Sequence, residues 1–409
     1  MTYTSSLEWI DQQQDKMLSE VLALCEINSG SANIPGIEKV VDRLSAFASC
    51  LGAEEERIDL ETRSDVLDSG EIVESQSGSL LRLTKWPNAN RRILLVGHSD
   101  TVYPVDHKFQ QCINLDENTI NGPGVADMKG GIVVMLTALQ ALERSPYAGN
   151  IGWQVIINPD EEIGSFASAG YLDRAARAAD VGMIFEPALA DGTLAGARKG
   201  SGNFTLIARG RAAHAGREHH LGCNAIAALA RAIALLDGLN GQQDGVTINV
   251  AKLTGGGPNN VVPDFALCRF NIRVPNPEGQ AWAEDQIEKI ISDISQEDGI
   301  SLEFHGSFGR QPKVMDKAHQ QLFSLLKSCG DDLGLSTEAK ATGGCCDGNN
   351  LAAAGLANID TLGVRGGAIH STDEFLLIDS LSERAKLSAL LLLKLAAGEA
   401  SWPDRATTA

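Results

Sequence analysis

Three short apolar runs in this chain each end on an acidic or histidine side chain. Residues 92–97 (RILLVG) run into His98-Ser99-Asp100, 153–160 (WQVIINPD) into Glu161-Glu162, and 181–185 (VGMIF) into Glu186. Apolar runs of this length that alternate with helical patterns predict parallel strands covered on both faces. The helices between them are expected at 131–144 and 167–179. Two more fall in the first 50 residues, where Leu7, Ile10, Met17, Val21 and Leu24 recur at helical spacing. In an open α/β sheet the functional crevice lies off the carboxyl ends of the strands. The acids and the histidine would therefore converge on one edge.

The pattern changes near Lys199. Strands are expected at 203–210, 246–254, 265–274 and 300–306, with helices at 223–239 and 281–295. That βαββαβ order is the split plan of a ferredoxin-like unit. A chain of 409 residues exceeds what one core ordinarily fills. The expected organisation is an α/β domain built from 1–198 and 308–409, its sheet mainly parallel, interrupted by an inserted lid at 199–307.

Charge narrows the partners. With 34 basic and 53 acidic residues the formal charge is −19, which makes phosphate-rich surfaces such as nucleic acid and anionic membrane poor partners, and neither is expected. No apolar run approaches the roughly 20 residues of a membrane helix. The first 20 residues lack a basic stretch followed by an apolar one, so the protein is expected to be cytoplasmic, with its eight cysteines reduced.

Carboxylates gathered at one edge repel each other unless something positive sits among them. Imidazole with carboxylates suits a borderline metal such as zinc. Asp100, two residues after His98 on an extended segment, lies on the same side and can orient the imidazole. Taken singly, each signal has an ordinary reading. A lone His after a strand usually packs or faces solvent, Glu161-Glu162 is an ordinary helix start, and Gly122-Pro-Gly124 is a turn. That turn lacks the third glycine of a dinucleotide fingerprint, which argues against a nicotinamide-dependent dehydrogenase.

The ordered set is more informative. His98-Ser-Asp100-Thr-Val, Gly122-Pro-Gly-Val-Ala-Asp127-Met-Lys-Gly, Asp160-Glu161-Glu162-Ile-Gly-Ser, Phe185-Glu186-Pro and His370-Ser-Thr-Asp-Glu374 resemble the blocks of the M20 metallopeptidases. That family includes glutamate carboxypeptidases, acetylornithine deacetylases and succinyl-diaminopimelate desuccinylases. The resemblance spans nearly the whole chain. It implies two zinc ions per chain, with cobalt or manganese as substitutes: His98 and Glu186 on one, Glu162 and His370 on the other, and Asp127 bridging. It makes Glu161 the general base, an assignment that the adjacency of the two glutamates does not itself decide.

The resemblance also gives roles in the lid. His214, in Gly210-Arg-Ala-Ala-His214-Ala-Gly216, matches the histidine that helps hold the developing oxyanion, reaching the partner's site in a homodimer joined through the lids. Asn260 and Arg273 match residues that hold a substrate carboxylate, and the planar guanidinium of Arg suits that task. Without the resemblance Arg273 is equally a strand-face ion pair and Asn260 a turn residue. His107, His219, His220, His305 and His319 are read as structural. Many relatives have Ser or Thr where this chain has Cys346; Cys345 and Cys346 are read as small buried side chains.

The implied substrate is a small peptide or an N-acyl amino acid. Position 186 is Glu, as in the carboxypeptidase and deacetylase branches, and the segment from Thr361 through Phe375 is most similar to the glutamate carboxypeptidases. The expected function is a glutamate carboxypeptidase-like exopeptidase, with an N-acyl-amino-acid deacylase as the alternative in its class. A binding protein that has lost catalysis on this fold is the alternative outside it.

Overall fold

The computed structural model describes residues 3–403. Five strands in the first part, β1 (Glu54–Ile58), β2 (Leu80–Lys85), β3 (Arg92–His98), β4 (Gly152–Asn158) and β5 (Val181–Ile184), form most of the central sheet. Along β3, Ile93 and Leu95 join one apolar cluster while Leu94 and Val96 join another on the opposite face. Successive strand residues point to opposite sides, so a run buried at every position requires cover on both. Helices Gly131–Glu143 and Ser380–Ala397 supply one layer, and Ala169–Ala178 with Asp347–Ala353 the other. The 19-residue segment Val125–Glu143 has mean hydropathy 1.4, enough by length and composition to span a bilayer, yet every residue of its apolar window is inside the fold.

The sheet is parallel at its centre, where β4, β3 and β5 pair. Next to β4 it gains two antiparallel strands, β2 and then β1, that the apolar pattern does not mark. β1 reads EEERI, a sequence that looks solvated, because an edge strand has one open side.

The inserted strands are β6 (Gly200–Arg209), β7 (Thr247–Gly255), β8 (Phe265–Val274) and β9 (Ser301–Arg310), ordered β7-β8-β6-β9 and antiparallel throughout. Helices Ala225–Asp237 and Pro277–Ser295 cover one face, each started by an asparagine whose side chain accepts a backbone N–H: Asn224 from Ala227 and Asn276 from Gly279. On the first helix Ala225, Ala228, Leu229, Ala232 and Leu236 are buried, Ile226 and Ile233 half-buried, and Ala230 and Ala234 exposed.

The two connections to this unit run side by side. Arg198 N–H donates to the Lys313 carbonyl at 2.9 Å and Lys313 N–H to the Arg198 carbonyl at 3.0 Å. Both side chains then meet buried Asp360, Arg198 with two nitrogens at 2.8 and 2.9 Å and Lys313 at 2.9 Å. Burial opposes the charge on Asp360, but the two cations hold its carboxyl down at about 2. The chain then adds β10 (Asn358–Ile359), parallel to β5, to complete the sheet.

Candidate active site

The three strand ends deliver their side chains to one edge. β3 ends on His98, 1% exposed; the turn after β4 carries Glu161 and Glu162; Glu186 follows β5. Asp127 comes from the loop before Gly131. A Cβ at Gly131 would lie 1.9 Å from the Phe185 carbonyl oxygen, so only glycine lets that helix start hard against the end of β5. His370 arrives from a loop between two short strands, at φ +63°, a left-handed conformation uncommon for histidine.

Asp127 stands at the centre. Its Oδ1 is 3.2 Å from His98 Nε2, which is 3.8 Å from Glu186 Oε1. Its Oδ2 is 3.3 Å from His370 Nε2, which is 3.2 Å from Glu162 Oε2. Ligand-type atoms of His98, Glu161 and Glu186 also lie within 4.8 Å of one another, as do those of His98, Asp127 and Glu162.

Asp100 does more than orient His98. The imidazole Nδ1 is nearer the Asp100 carbonyl oxygen, at 2.9 Å, than its carboxylate, at 3.4 Å. The carboxylate instead accepts the backbone N–H of Glu161 at 3.1 Å, that of Glu162 at 3.2 Å, and the Ser31 hydroxyl at 2.7 Å.

Burial works against the charged forms of Asp127, Glu161, Glu162 and Glu186. Together with repulsion from Asp127 it raises Glu162 to about 8 and Glu186 well above the usual range. Glu161 rises to about 7 by burial, restrained by the Arg310 guanidinium. Burial also opposes the charge on Asp127, but hydrogen bonds from His370 and His98 prevail and hold it well below the usual value. Hydrogen bonds to Asp127 and Glu162 lift His370 to about 11. Burial disfavours protonation of His98, and its bonds to Asp100 and Asp127 outweigh that. Such a crowd of oxygen and nitrogen donors, buried or half-buried except for exposed His370, is one that divalent cations neutralise.

Beside these groups opens a cleft of about 400 Å³. Asp127, Glu161, Glu162, Glu186 and His370 form one wall; Arg198, Lys340, Cys345, Cys346 and Thr361 are among the residues of the others. None of the expected lid residues lines the cleft; Arg273 touches a residue that does, its Nη1 lying 3.0 Å from Cys345 Sγ, while its Nε donates to Asn271 at 2.9 Å. His214 and Asn260 are not among the cleft-lining residues. Both are exposed, joined where Ala213–His214 pairs with Val261–Val262. His214 Nδ1 accepts the backbone N–H groups of Gly216 and Arg217, both at 3.2 Å. Cys346 is buried, as expected, and its sulfur caps helix Asp347–Ala353 by accepting from Gly348; Cys345 is only half-buried.

Two residues that sequence reasoning left without a role hold this site. Glu374, 1% exposed, accepts backbone N–H groups from Gly124 (3.1 Å), Ala126 (3.0 Å) and Asp127 (3.0 Å), and lies 2.9 Å from the Tyr103 hydroxyl. Its membership of the His370 block was the available signal. Arg310, 3% exposed, donates to Glu161 Oε1 at 2.8 Å, and nothing local in the sequence marks it.

Comparison with known proteins places this geometry in a known group. The profile described as peptidase family M20/M25/M40 matches residues 94–394. Carboxypeptidase G2 of Pseudomonas sp. (strain RS-16) is 27% identical over 319 residues, covering 76% of this chain and 75% of its own. A succinyl-diaminopimelate desuccinylase of Hahella chejuensis is 26% identical, covering 74% and 82%. Among solved structures, a tripeptidase of Staphylococcus aureus superposes with TM-score 0.73 at 22% identity, covering 94% of this chain and 99% of its own. A dinuclear metal-binding peptidase of Bacillus subtilis superposes with TM-score 0.66 at 15% identity, covering 95% and 99%.

Proposed function

From membership of peptidase family M20/M25/M40, to which this chain belongs, we propose that it is a dizinc hydrolase cleaving an amide bond next to a free carboxylate, as a glutamate carboxypeptidase does. One observation carries the reading: the Asp127 carboxylate is divided, Oδ1 toward His98 and Oδ2 toward His370. Each oxygen would serve one ion, with Glu186 completing the first set and Glu162 the second. The 3.2–3.3 Å donor spacings around Asp127 suit such sharing. They match the edge of a tetrahedron with ligand bonds of about 2.0 Å, which is about 3.3 Å.

Two cations bound there would polarise the scissile carbonyl and lower the pKa of an attacking water. Glu161 would take that water's proton and return it to the leaving amine. Its separate role is supported by its different partner: Glu161 pairs with Arg310, whereas Glu162 pairs with His370. Asp100 anchors the backbone of both and so sets their spacing. Arg273, in contact with Cys345 of the cleft wall, would grip the substrate's carboxylate, with Asn260 beside it once the 199–307 lid meets a substrate. His214 stands outside its own cleft, which favours its acting on the site of a second copy, in a cytoplasmic homodimer.

An N-acyl-amino-acid deacylase is the second reading, favoured by the desuccinylase relative at nearly the same identity. The deciding experiment compares zinc-loaded enzyme on dipeptides ending in Glu with N-acetyl and N-succinyl amino acids. Preferential turnover of the dipeptides supports the carboxypeptidase; preferential turnover of the acylated amino acids replaces it with the deacylase. Full metal occupancy with no turnover of any would make this a binding protein.

A further inference from the structure

Arg310 is the last residue of strand β9, and its side chain points away from the lid into the floor beneath the acids. Its Nη2 donates to Glu161 Oε1 at 2.8 Å, to the Glu161 carbonyl oxygen at 3.3 Å and to Ser165 Oγ at 2.8 Å. Its Nη1 donates to Asp347 Oδ1 and to Asn350 Oδ1, the latter at 2.8 Å. Ser165 Oγ in turn donates to Asp347 Oδ1 at 2.7 Å and accepts from Asn158 at 3.1 Å. One planar fork therefore joins the Glu161 turn, the start of helix Asp347–Ala353 and the end of a lid strand. Arg310 is absent from the cleft wall, so it meets Glu161 from behind.

We propose that Arg310 is a positioning residue for Glu161: it fixes the rotamer of that carboxylate, and thereby its aim at the attacked bond, without touching substrate. Geometry favours this over simple packing. A guanidinium that only neutralised Asp347 would need one edge of its fork. Here Nη2 serves both the side chain and the main chain of Glu161, which leaves the carboxylate little freedom about its own backbone. The fork also makes the aim of Glu161 depend on where β9 enters the catalytic layer. The proposal rests on the reading of Glu161 as general base.

The test is a double-mutant cycle on zinc-loaded protein, with Arg310→Met, Glu161→Gln and the pair. Arg310→Met alone should lower kcat by about 10²-fold, the scale of a misplaced catalytic group. KM should change less than about twofold and both metals should remain bound, since neither substrate nor cation touches Arg310. In the Glu161→Gln background the same change should alter residual turnover by less than about twofold, because its target is already gone. Arg310→Lys, which keeps the charge but not the fork, should recover part of kcat, and it replaces Met in the cycle if the Met variant does not fold. Equal losses in both backgrounds, or unchanged kcat in Arg310→Met while Glu161→Gln is dead, would overturn the positioning role alone. Wild-type turnover in Glu161→Gln would overturn the general-base reading and this proposal with it.

Discussion

Glu374 accepts the backbone N–H of Asp127 at 3.0 Å, although 247 residues separate them in the chain. The group that turns a carboxylate oxygen toward each histidine is thus itself held by a carboxylate from the far end of the sequence. With Gly124 and Ala126 bonded to the same acid, the Asp127 loop has one buried anchor for three N–H groups. Unpaired, each such group would cost about 1–3 kcal/mol. Glu374→Ala should therefore weaken metal binding by about 10–100-fold, as loss of a partner behind a ligand does. Chelator competition measures it, and unchanged affinity would show that the loop holds its shape unaided.

Glu161→Gln should keep both metals and lose turnover by at least about 10²–10⁴-fold, the worth of general acid–base catalysis. Glu162→Gln, beside His370, should lose metal instead. Metal analysis next to kcat separates them; equal metal loss in both variants would refute the division of labour.

Arg273→Ala should lower kcat/KM by about 1.5–3 kcal/mol, the scale of a lost charge-assisted hydrogen bond. The loss should shrink on substrates whose carboxylate is amidated. An equal loss on both substrate types would make Arg273 a structural residue that packs Asn271 against Cys345.

Two inactive variants should restore each other if His214 serves a second copy. After Glu161→Gln and His214→Ala chains are dissociated and mixed, about half the dimers are mixed, and each of these has one intact site. About a quarter of wild-type activity should return. If no mixing ratio restores activity, His214 works within its own chain.

Chelation should make stability fall with rising pH. Glu161 and Glu162 titrate near 7 and 8 in the fold, against about 4.3 in an unfolded chain. The folded state therefore holds extra protons between those values, and stability is lost as pH climbs through them. His370, raised to about 11, acts in the same direction above its unfolded value of about 6.5. Metal binding needs the deprotonated ligands, so the Tm gap between zinc-loaded and chelated protein should widen from pH 5 to 8. A constant or shrinking gap would mean that Glu162 and His370 do not bind the metal.

How far the site was legible follows from distance along the chain. His98, Glu161, Glu162 and Glu186 were found because strand ends are local signals: an apolar run stops and a polar residue stands at its carboxyl end. Arg310 meets Glu161 across 149 residues, and a charge closing a lid strand looks like any solvated end until the chain is folded. Asp360 was missed for the same reason, since its two cations come from opposite sides of the insertion. The edge strand β1 carries no apolar signal because an edge need not be apolar on both faces, and in β2, which lies between β1 and β4, Arg82, Thr84 and Lys85 interrupt the apolar run. The helix Ala225–Asp237 shows a subtler limit. Large apolar residues recur at helical spacing along Ile226, Leu229, Ile233 and Leu236, but the buried row runs through Ala225, Ala228, Leu229, Ala232 and Leu236. Small residues turn inward there because the lid sheet packs closely beneath them.

Arg198 and Lys313 exchange a reciprocal pair of backbone hydrogen bonds, so the chain leaves the catalytic layer and re-enters it one peptide's width away. Topologically, everything between them is a loop with a closed mouth. A segment attached this way can be lengthened, exchanged or removed without moving the strands on either side, because the two cut ends already touch and share one buried counter-charge in Asp360. The catalytic layer can thus stay constant while most of that segment is exchanged, provided that Arg310 at its end remains to hold Glu161.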